Sequence, residues 1–497
     1  MLLLPLLIPT VAALLCFLSS SARVRWRLLF GAAVAHAATV GWFLLAAPPP
    51  PMGWLRLDAL GLLFLAITSA LFLLVSIYLS GQGKAAQRGG DSAPEGTRQE
   101  TARPDEPAPA SGQPERVFAG ALLLFLAAMS LVTATQHLGL IWVAVEATTL
   151  ASAPLIYHHR NARSLEAAWK YLVLCSVGIA IALLGTFLLA LSAPHLSDPL
   201  WLPALLRGAG RLDQPLLRIA FIFLLVGYGT KIGLAPLHTW LPDAHSEAPS
   251  PASALLSGAL LNTAFLALLR AWQVVTAAGQ GRFAGALLIG FGLLSLGLAA
   301  AFILGQRDYK RMLAYSSMEH MGILALGVGL AGGASYGAML HALNHSLAKA
   351  LLFLVAGNIL VAYGTKNIAD VRGIGRRLPW SGALWVIGFL AIAGSPPFGL
   401  FMSELVILME TLHQGRFLLA ALYLGLLAVI FAGLASSVLR MARGRAAEAT
   451  EPEPRERWQA VLPPAVLALG VLLLGLYIPA PVAELLRQAA ALLGRGL

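Results

Sequence analysis

The sequence predicts an all-α integral membrane protein, and its composition carries this prediction. Hydrophobic residues make up 58% of the 497 residues and charged residues only 11%, far below the roughly 25% of soluble domains. Apolar runs of about 20 residues, the length that crosses a bilayer as a helix, recur along the chain. The net charge of +11 comes from basic residues grouped in loops, which indicates orientation in a membrane rather than binding of nucleic acid.

Fourteen membrane spans follow from these runs. They are residues 2–19, 28–46, 59–80, 117–134, 138–157, 166–191, 216–238, 249–274, 283–304, 312–331, 335–362, 380–412, 416–439 and 459–479. Alternate loops hold 22 of the 34 Lys and Arg residues. By the positive-inside rule, this bias predicts a cell-membrane protein with both termini outside. The first run lacks the basic start of a signal peptide, so we expect it to be retained.

Several predicted spans contain ionisable side chains, which are costly in a bilayer and mark function by default. They are Glu146, Lys170, Lys231, Glu319, His320, His341, His345, Lys349 and Glu404. A structural ion pair or a side chain that snorkels to the interface is the alternative at each position. Only 6 of the 34 basic residues are lysines, yet three lysines lie in spans. Because buried lysine can release its proton and arginine cannot, this choice favours protonation chemistry.

One span carries a row of titratable groups. His341, His345 and Lys349 stand at i, i+4 and i+8 and therefore share one helix face. Imidazole donates and accepts protons near neutral pH, so the row suits proton transfer through intervening water. A satisfied polar face between helices is the alternative. No metal site is predicted, because no carboxylate or third histidine stands at ligand spacing.

Two spans are interrupted by Gly and Pro, at Gly233 and Pro236 beside Lys231 and at Pro396 and Pro397 before Glu404. Paired interrupted spans in two halves of a chain indicate a transport path. The distances from Glu146 to Glu319 and from Lys231 to Glu404 are both 173 residues, and that from Lys170 to Lys349 is 179. These spacings predict two inverted five-helix repeats, in residues 117–275 and 283–441.

The remaining segments divide around these repeats. Residues 1–80 form the N-terminal helices, residues 81–116 a linker predicted to be disordered from its Gly, Pro, Ser, Asp and Glu content, and residues 442–458 a charged linker. Residues 459–497 contain the last span and a short amphipathic helix or terminal cap. Cys16 and Cys175 stand alone in apolar runs, which argues against disulfides, iron–sulfur clusters and zinc ribbons.

A polar cluster follows the first interruption, outside the predicted spans. It consists of His238, Asp243, His245 and Glu247. A metal site, a network that orders the loop and a site of proton uptake are the alternatives. Pro242 and Pro249 favour the last two, because they stiffen the loop.

Four stretches carry a resemblance to a known family. The first, KIGLAPLHTWLPDAHSEAPSPASALLSG, resembles the signature of the antiporter-like membrane subunits of respiratory complex I, membrane-bound hydrogenases and multisubunit cation/proton antiporters. The others are WVAVEATTLASAPL with SLEAAWKYLVLCSVGIA, DYKRMLAYSSMEHMGI, and LHALNHSLAKALLFLVAGN. They resemble the hydrogenase-4 component F branch. The resemblance covers residues 117–440.

The resemblance implies fourteen helices, two inverted repeats, broken helices 7 and 12, and a half-channel in each repeat joined by a central polar axis. Glu146 is similar to the family's helix-5 glutamate and Lys231 to its helix-7 partner. Lys349, with His341 and His345, is similar to the helix-11 connection, and Glu404 to the terminal helix-12 group. Several relatives have a lysine or histidine in helix 8 where this chain has Asn262, which cannot titrate and leaves the central link in question.

The functional expectation follows from this resemblance. It implies a proton-translocating membrane subunit of a redox-driven complex, either hydrogenase-4-like or NADH:quinone oxidoreductase-like. Its partners would be other membrane subunits and a peripheral redox arm that holds the NiFe centre and iron–sulfur clusters. This chain would hold no redox cofactor, since it has neither paired cysteines nor a dinucleotide-binding loop. A cation/proton antiporter subunit without redox partners and a structural membrane anchor are the alternatives.

Overall fold

The computed structural model describes residues 1–46, 49–89, 113–443 and 456–494, and almost all of them are helical. The helices are α1 (Leu4–Leu18), α2 (Ala22–Leu45), α3 (Ala59–Gly89), α4 (Gln113–Ala134), α5 (Leu138–Ile156), α6 (Ala162–Leu191), α7 (Leu202–Gly208), α8 (Gln214–Ile232), α9 (Trp240–Glu247), α10 (Ser250–Leu255), α11 (Leu261–Ala277), α12 (Gly281–Ile303), α13 (Tyr309–Leu330), α14 (Gly333–Tyr363), α15 (Ile374–Arg377), α16 (Pro379–Ile392), α17 (Gly399–His413), α18 (Phe417–Ala442), α19 (Trp458–Leu476) and α20 (Ala480–Ala491).

Each of the fourteen predicted spans coincides with a helix or with a broken helix. In the described part of the chain, 11 helices are long and apolar enough to cross a membrane, and α1 and α16 are apolar but shorter. The prediction of an all-α membrane fold is therefore confirmed, while the count of fourteen spans stays a prediction. The predicted amphipathic helix near the C-terminus is α20. Residues 492 and 493, just after it, accept hydrogen bonds from Gln273 and Trp272 at the end of α11.

The predicted linkers need one correction. Helix α3 continues to Gly89 and α4 begins at Gln113, so both ends of the predicted disordered segment 81–116 are helical. Residues 84–88 of the stretch GQGKAAQRG, which ends α3, are Lys, Ala, Gln and Arg, good helix formers. The rest of that linker, residues 90–112, and residues 444–455 of the charged linker lie outside the described residues.

Both predicted helix breaks are present. The first separates α8 from α9 and the second separates α16 from α17. Gly233 and Gly394 have φ angles of 79° and 61° at the two breaks, a left-handed conformation that glycine adopts without steric cost. At the first break the backbone N–H of Ala235 donates to Ser295 Oγ of α12, 3.0 Å away. Polar groups of the protein thus satisfy backbone that a bilayer would leave unpaired.

The order of helices matches two repeats of five. Helices α4, α5, α6, broken α8/α9 and α11 correspond in order to α12, α13, α14, broken α16/α17 and α18. Because five spans are an odd number, the two repeats enter the membrane from opposite sides. A π-helical segment, Leu256–Leu260, joins α10 to α11 in the first repeat. Such segments are frequent at functional sites.

Helices α12 and α13 approach each other through four glycines. A Cβ atom added at Gly285, Gly292, Gly322 or Gly329 would lie only 2.5–2.8 Å from the carbonyl oxygen of the facing glycine. Small residues at such positions allow membrane helices to pack backbone against backbone. The first two helices of the second repeat therefore form one tightly packed pair.

Candidate functional site

Lys231 is the centre of a buried polar cluster in the first repeat. It lies in the last turn of α8, beside the helix break, and its side chain is fully buried. Its Nζ donates to Thr149 Oγ1 at 2.8 Å and to the Tyr171 hydroxyl at 2.5 Å. Tyr171 in turn shares a hydrogen bond of 2.6 Å with Ser152 Oγ. Two hydroxyl groups thus contact the ammonium group, and Ser152 extends the Tyr171 branch by one further hydroxyl.

Glu146 lies on α5, one turn before Thr149. Its Oε1 accepts a hydrogen bond of 2.8 Å from Ser176 Oγ, and its Oε2 is buried without a hydrogen-bond partner. Among the residues that the structure describes, Glu146 forms no ion pair, so the expected direct pair with Lys231 is absent. Glu146 is one turn away on α5 from Thr149, which contacts Lys231 Nζ. The residue as a whole is only part-buried.

Three histidines from α13 and α14 lie together in the second repeat. His320 Nδ1 and His341 Nε2 are 3.0 Å apart and share a hydrogen bond. His341 Nδ1 is 2.9 Å from Ser403 Oγ of α17. The His320 ring centroid is 5.1 Å from those of both His341 and His345. All three rings are fully buried, and they form a continuous group of imidazoles across the helix interface.

Acidic and basic groups surround these histidines. Lys349 is fully buried, one turn beyond His345, and its Nζ donates to the Leu313 carbonyl at 2.9 Å. Glu319 on α13 and Glu404 on α17 are 2% and 9% exposed. The second repeat therefore gathers two carboxyl groups, a lysine and three histidines on α13, α14 and α17.

The histidine cluster also has the composition of a metal site. The donor atoms of His320, His341 and Glu404 lie within 4.8 Å of one another. The expectation that no third ligand lies near the two histidines is therefore wrong, because α13 and α17 bring a third histidine and a carboxylate to α14. The facing nitrogens of His320 and His341 already share a hydrogen bond, which a metal ion would have to replace. That no metal is bound stays a prediction.

Asn262 lies at the predicted central link, directly after the π-helical segment. Its Nδ2 donates to Ser346 Oγ at 2.6 Å and to the Ala342 carbonyl at 3.1 Å. Nearby, Ser257 Oγ and Ser317 Oγ are 2.7 Å apart. Amide and hydroxyl groups thus occupy the boundary between the repeats, and Ser346 is next to His345 in α14. The link is polar although Asn262 itself cannot titrate.

Comparison with known proteins identifies the family that has this architecture. The family described as NADH:quinone oxidoreductase/Mrp antiporter, TM, matches residues 135–431, a segment that includes both buried clusters. The chain belongs to this family. It is accordingly a multi-pass integral membrane protein, and the resemblance found in the sequence is confirmed.

Individual relatives of this antiporter-family chain agree with that result. A hydrogenase-4 component F homologue of Methylacidiphilum infernorum (isolate V4) is 41% identical over 374 residues, which cover 73% of this chain and 77% of the relative. NADH-quinone oxidoreductase subunit N of Desulforudis audaxviator (strain MP104C) is 31% identical over 378 residues, which cover 72% and 74%. A chain of the membrane-bound sulfane sulfur reductase, an archaeal respiratory membrane complex, has the same fold. Its TM-score is 0.83 at 22% identity over 99% of this chain and 97% of that chain.

The spacing of polar residues within each repeat of the antiporter-family fold allows a second comparison of the two halves. Ser176 follows Glu146 by 30 residues, and Lys349 follows Glu319 by the same 30 residues. Each pair lies on the second and third helices of its repeat. By this spacing Ser176 stands opposite Lys349, while Lys170 lies six residues earlier in α6. The correspondence of Lys170 with Lys349 stays a prediction.

The broken helices are also offset from the interpreted spacing. Lys231 precedes the first break, whereas Glu404 follows the second, so the 173-residue spacing joins residues on different sides of their breaks. When Pro236 is aligned with Pro397, the offset is 161 residues, and Asp243 becomes the counterpart of Glu404. The first repeat of this antiporter-family chain thus has its own carboxylate after the break.

Asp243 joins an ion-pair network at one end of the broken helix. It pairs with Lys170 of α6 at 3.1 Å and with Arg311 of α13. Glu247 pairs with Lys366 at 2.8 Å. The Lys170 side chain is 45% exposed, which places this lysine in the loop network and not in the buried clusters. The loop-ordering interpretation fits Asp243 and Glu247.

The two histidines of the predicted loop cluster lie apart from these ion pairs. His245 is fully buried, its ring stacks on Phe353 with centroids 4.8 Å apart, and neither ring nitrogen has a hydrogen-bond partner among the described residues. His238 is 6% exposed and lies beside Tyr315 and Phe302. The structure brings them to the same broken helix without joining them to Asp243 and Glu247.

Sequence reasoning missed three buried basic residues, Arg25, Arg270 and Lys310. Arg270 of α11 is fully buried, and its guanidinium donates to both carboxylate oxygens of Asp58, at 2.6 and 2.8 Å. Lys310 is buried at the start of α13 and donates to the carbonyl groups of Ala248 and Ser246. Arg270 falls inside a predicted span, so its position alone could have revealed it. The hydroxyl groups around Lys231 carried no comparable signal.

Proposed function

We propose that this chain is a proton-translocating membrane subunit of a redox-driven complex, of the hydrogenase-4 or NADH:quinone oxidoreductase type. The proposal rests on one observation. Each repeat contains a buried cluster of titratable groups near its broken helix. The names of the 41% and 31% identical relatives support this type of complex. Other membrane subunits and a peripheral redox arm would be the partners. The redox cofactors would belong to that arm, since Cys16 and Cys175 are single and buried.

Glu146 is the proposed input of the first repeat. It is part-buried on α5, so a neighbouring subunit can reach it. A change in its position or charge would alter how strongly it stabilises the Lys231 ammonium group, because Lys231 is fully buried and charges interact more strongly inside a protein than in water. Redox events in the partners would cause that change, and Lys231 would pass its proton to the connected hydroxyl groups of Tyr171 and Ser152.

The second repeat would receive and pass on the proton. The hydroxyl and amide groups around Asn262, with intervening water, would lead to His345 at the edge of the histidine cluster. His320 and His341 already share a hydrogen bond, and imidazole can take a proton on one nitrogen while it releases one from the other. Glu404 would be the last group. Glu319 and Lys349 would set the charge of this cluster.

Reconstitution of the native complex in liposomes tests the proposal. Proton uptake is followed with a pH-sensitive dye after addition of the electron donor, and redox turnover is measured in the same sample. Lys231→Ala should abolish proton uptake without loss of assembly, and Lys231→Arg should do the same, because arginine keeps the charge but does not release its proton. Arg218→Gln, at the exposed side of α8, is the matched control. Normal uptake with Lys231→Ala would refute the mechanism.

The second candidate is a cation/proton antiporter subunit without redox partners, because the family description covers Mrp antiporters as well. Vesicles without any electron donor distinguish the two. Sodium-dependent dye quenching under these conditions would favour the antiporter. A Lys-, His- and Glu-rich cluster is poorly suited to sodium, which prefers several oxygen ligands, so we expect no sodium dependence.

A further inference from the structure

The hairpin of α1 and α2 carries an apolar groove on the membrane-facing surface, well away from the two buried clusters. Its volume is about 580 Å³. The lining side chains include Leu7, Val11 and Leu15, which are half-exposed, and the small residues Gly31 and Ala35 one turn apart on α2. A Cβ atom added at Gly31 would meet nothing within 4 Å. The small size of these two residues therefore leaves space for the groove.

Arg27 lies near one end of this groove, one turn from Val24, and is its only charged lining residue. Its side chain is exposed, and so is that of Arg23, one turn earlier on the same face of α2. Within the described ranges neither arginine has a hydrogen bond or an ion pair. The neighbouring Arg25 is different, because it is buried and contacts Glu115 and the carbonyl groups of the preceding turn. Arg25 holds the hairpin together, and the other two guanidinium groups face outward.

The length of the groove corresponds to one leaflet. From Val24 to Ala35, the lining residues of α2, the α-helix rises about 17 Å, and half of a hydrocarbon core is about 15 Å. A partner helix that crosses the bilayer would need a groove along both leaflets, and α2 continues for ten residues beyond Ala35. A single acyl chain below a charged headgroup has the matching length and the matching polarity.

We propose that this groove binds one acyl chain of an anionic glycerophospholipid, with the phosphate bound by Arg23 and Arg27. Guanidinium groups bind phosphate oxygens in a fixed, bidentate geometry. Basic residues next to a membrane are attracted to anionic headgroups. The groove supplies the acyl-chain contact, and the two arginines select the headgroup. The site is independent of the proposed proton transfer.

Photo-crosslinking in native-complex membranes tests the site. The probe is a phosphatidylglycerol analogue with a photoactivatable acyl chain, and the adducts are located by mass spectrometry of α1 and α2 peptides. Unlabelled phosphatidylglycerol should compete, and phosphatidylcholine with the same chains should compete much less. Gly31→Leu fills the groove and should abolish the adduct. Gly41→Leu, on the same helix with nothing within 4 Å of its added Cβ, is the matched control and should keep it.

The arginines are tested separately. Removal of each one should weaken competition by phosphatidylglycerol about fivefold, the contribution expected of one basic residue at a membrane surface. Arg23→Gln and Arg27→Gln together should therefore leave phosphatidylglycerol no better than phosphatidylcholine. Equal adducts in Gly31→Leu and Gly41→Leu would overturn the proposal. A crosslink from the groove to a partner subunit in place of lipid would also overturn it.

Discussion

The buried pair of Arg270 and Asp58 allows a quantitative prediction about stability. It joins α11 of the first repeat to the start of α3, where Asp58 also accepts the Gly61 backbone N–H at 2.9 Å. The Arg270 side chain is fully buried, and that of Asp58 is 18% exposed. Removal of one partner from a buried ion pair costs about 3–5 kcal/mol, because the other charge is left buried. Since Asp58 keeps some contact with solvent, we expect Arg270→Met to cost about 3 kcal/mol.

The same geometry predicts a strong coupling between the two residues. Asp58→Asn should also cost about 3 kcal/mol, since it leaves the buried Arg270 charge with only neutral acceptors, among them Gln273 Oε1 at 3.1 Å. The double variant removes both charges and should cost no more than either single one. The coupling free energy is then about 3 kcal/mol, the upper end for residues in contact.

Unfolding by sodium dodecyl sulfate in mixed micelles measures these costs. Tryptophan fluorescence gives the free energy of unfolding of the four variants of the cycle. Arg218→Met is the control, because this exposed arginine donates to Gln280 and should cost less than about 1 kcal/mol. A double variant whose cost equals the sum of the two single costs would refute the reasoning.

Three further predictions concern transport and packing. Tyr171→Phe removes the hydroxyl between Lys231 and Ser152, and dye quenching in liposomes should show proton uptake about tenfold slower, as expected for a lost hydrogen bond to a charged group. Asp243→Asn removes the charge that two basic residues share across the repeats and should slow uptake about two- to fivefold without loss of assembly, because exposed pairs contribute little to stability. Gly292→Val in α12 should lower the unfolding free energy by about 1–3 kcal/mol, the cost of overpacking.

Each of these three predictions has a matched control variant. Tyr423→Phe removes a buried hydroxyl that makes no hydrogen bond to a described residue, so equal slowing there would contradict the role of Tyr171. Glu247→Gln tests whether any ion pair of the loop network has the effect expected of Asp243. Gly297→Val, on the same helix as Gly292 but with nothing within 4 Å of its added Cβ, should change stability by less than about 0.5 kcal/mol.

The fold was largely predictable because the bilayer simplifies the pattern. An apolar run of about 20 residues has one common outcome in a membrane, and the runs located α5 and α12 to within a few residues. Both breaks were predictable for a related reason. Gly and Pro in an apolar run interrupt helical hydrogen bonding, as they do at Gly233 and Pro397.

The matching of residues between the two repeats was harder to predict from the sequence. Constant spacing assumes equal loops, but residues 192–213, which contain α7, connect α6 to α8, whereas residues 364–378 connect α14 to α16. The first connection is longer by seven residues, and α8 is longer than α16 by five residues. Together these twelve residues account for the difference between the spacings of 173 and 161. The exposure of Lys170 was also not predictable, because the sequence does not show which face of a helix a lysine occupies.

Hydroxyl groups were missed because they are common in membrane helices. Ser and Thr usually bond to their own helix backbone, as Thr148 and Ser152 also do here. Only the three-dimensional arrangement shows that Thr149 and Tyr171 surround Lys231. The metal-like grouping of His320, His341 and Glu404 was invisible for the same reason, since its members come from three helices.

The contacts between the repeats have a consequence for motion. The first break bonds to Ser295 of α12 through Ala235, and the segment after it pairs with Arg311 of α13 through Asp243. Helices α12 and α13 are themselves packed backbone to backbone. If the first break changes shape during a cycle, it must displace this rigid pair or release it. We therefore expect the two halves to switch cooperatively. A perturbation at one break should then change the conformation of the other break.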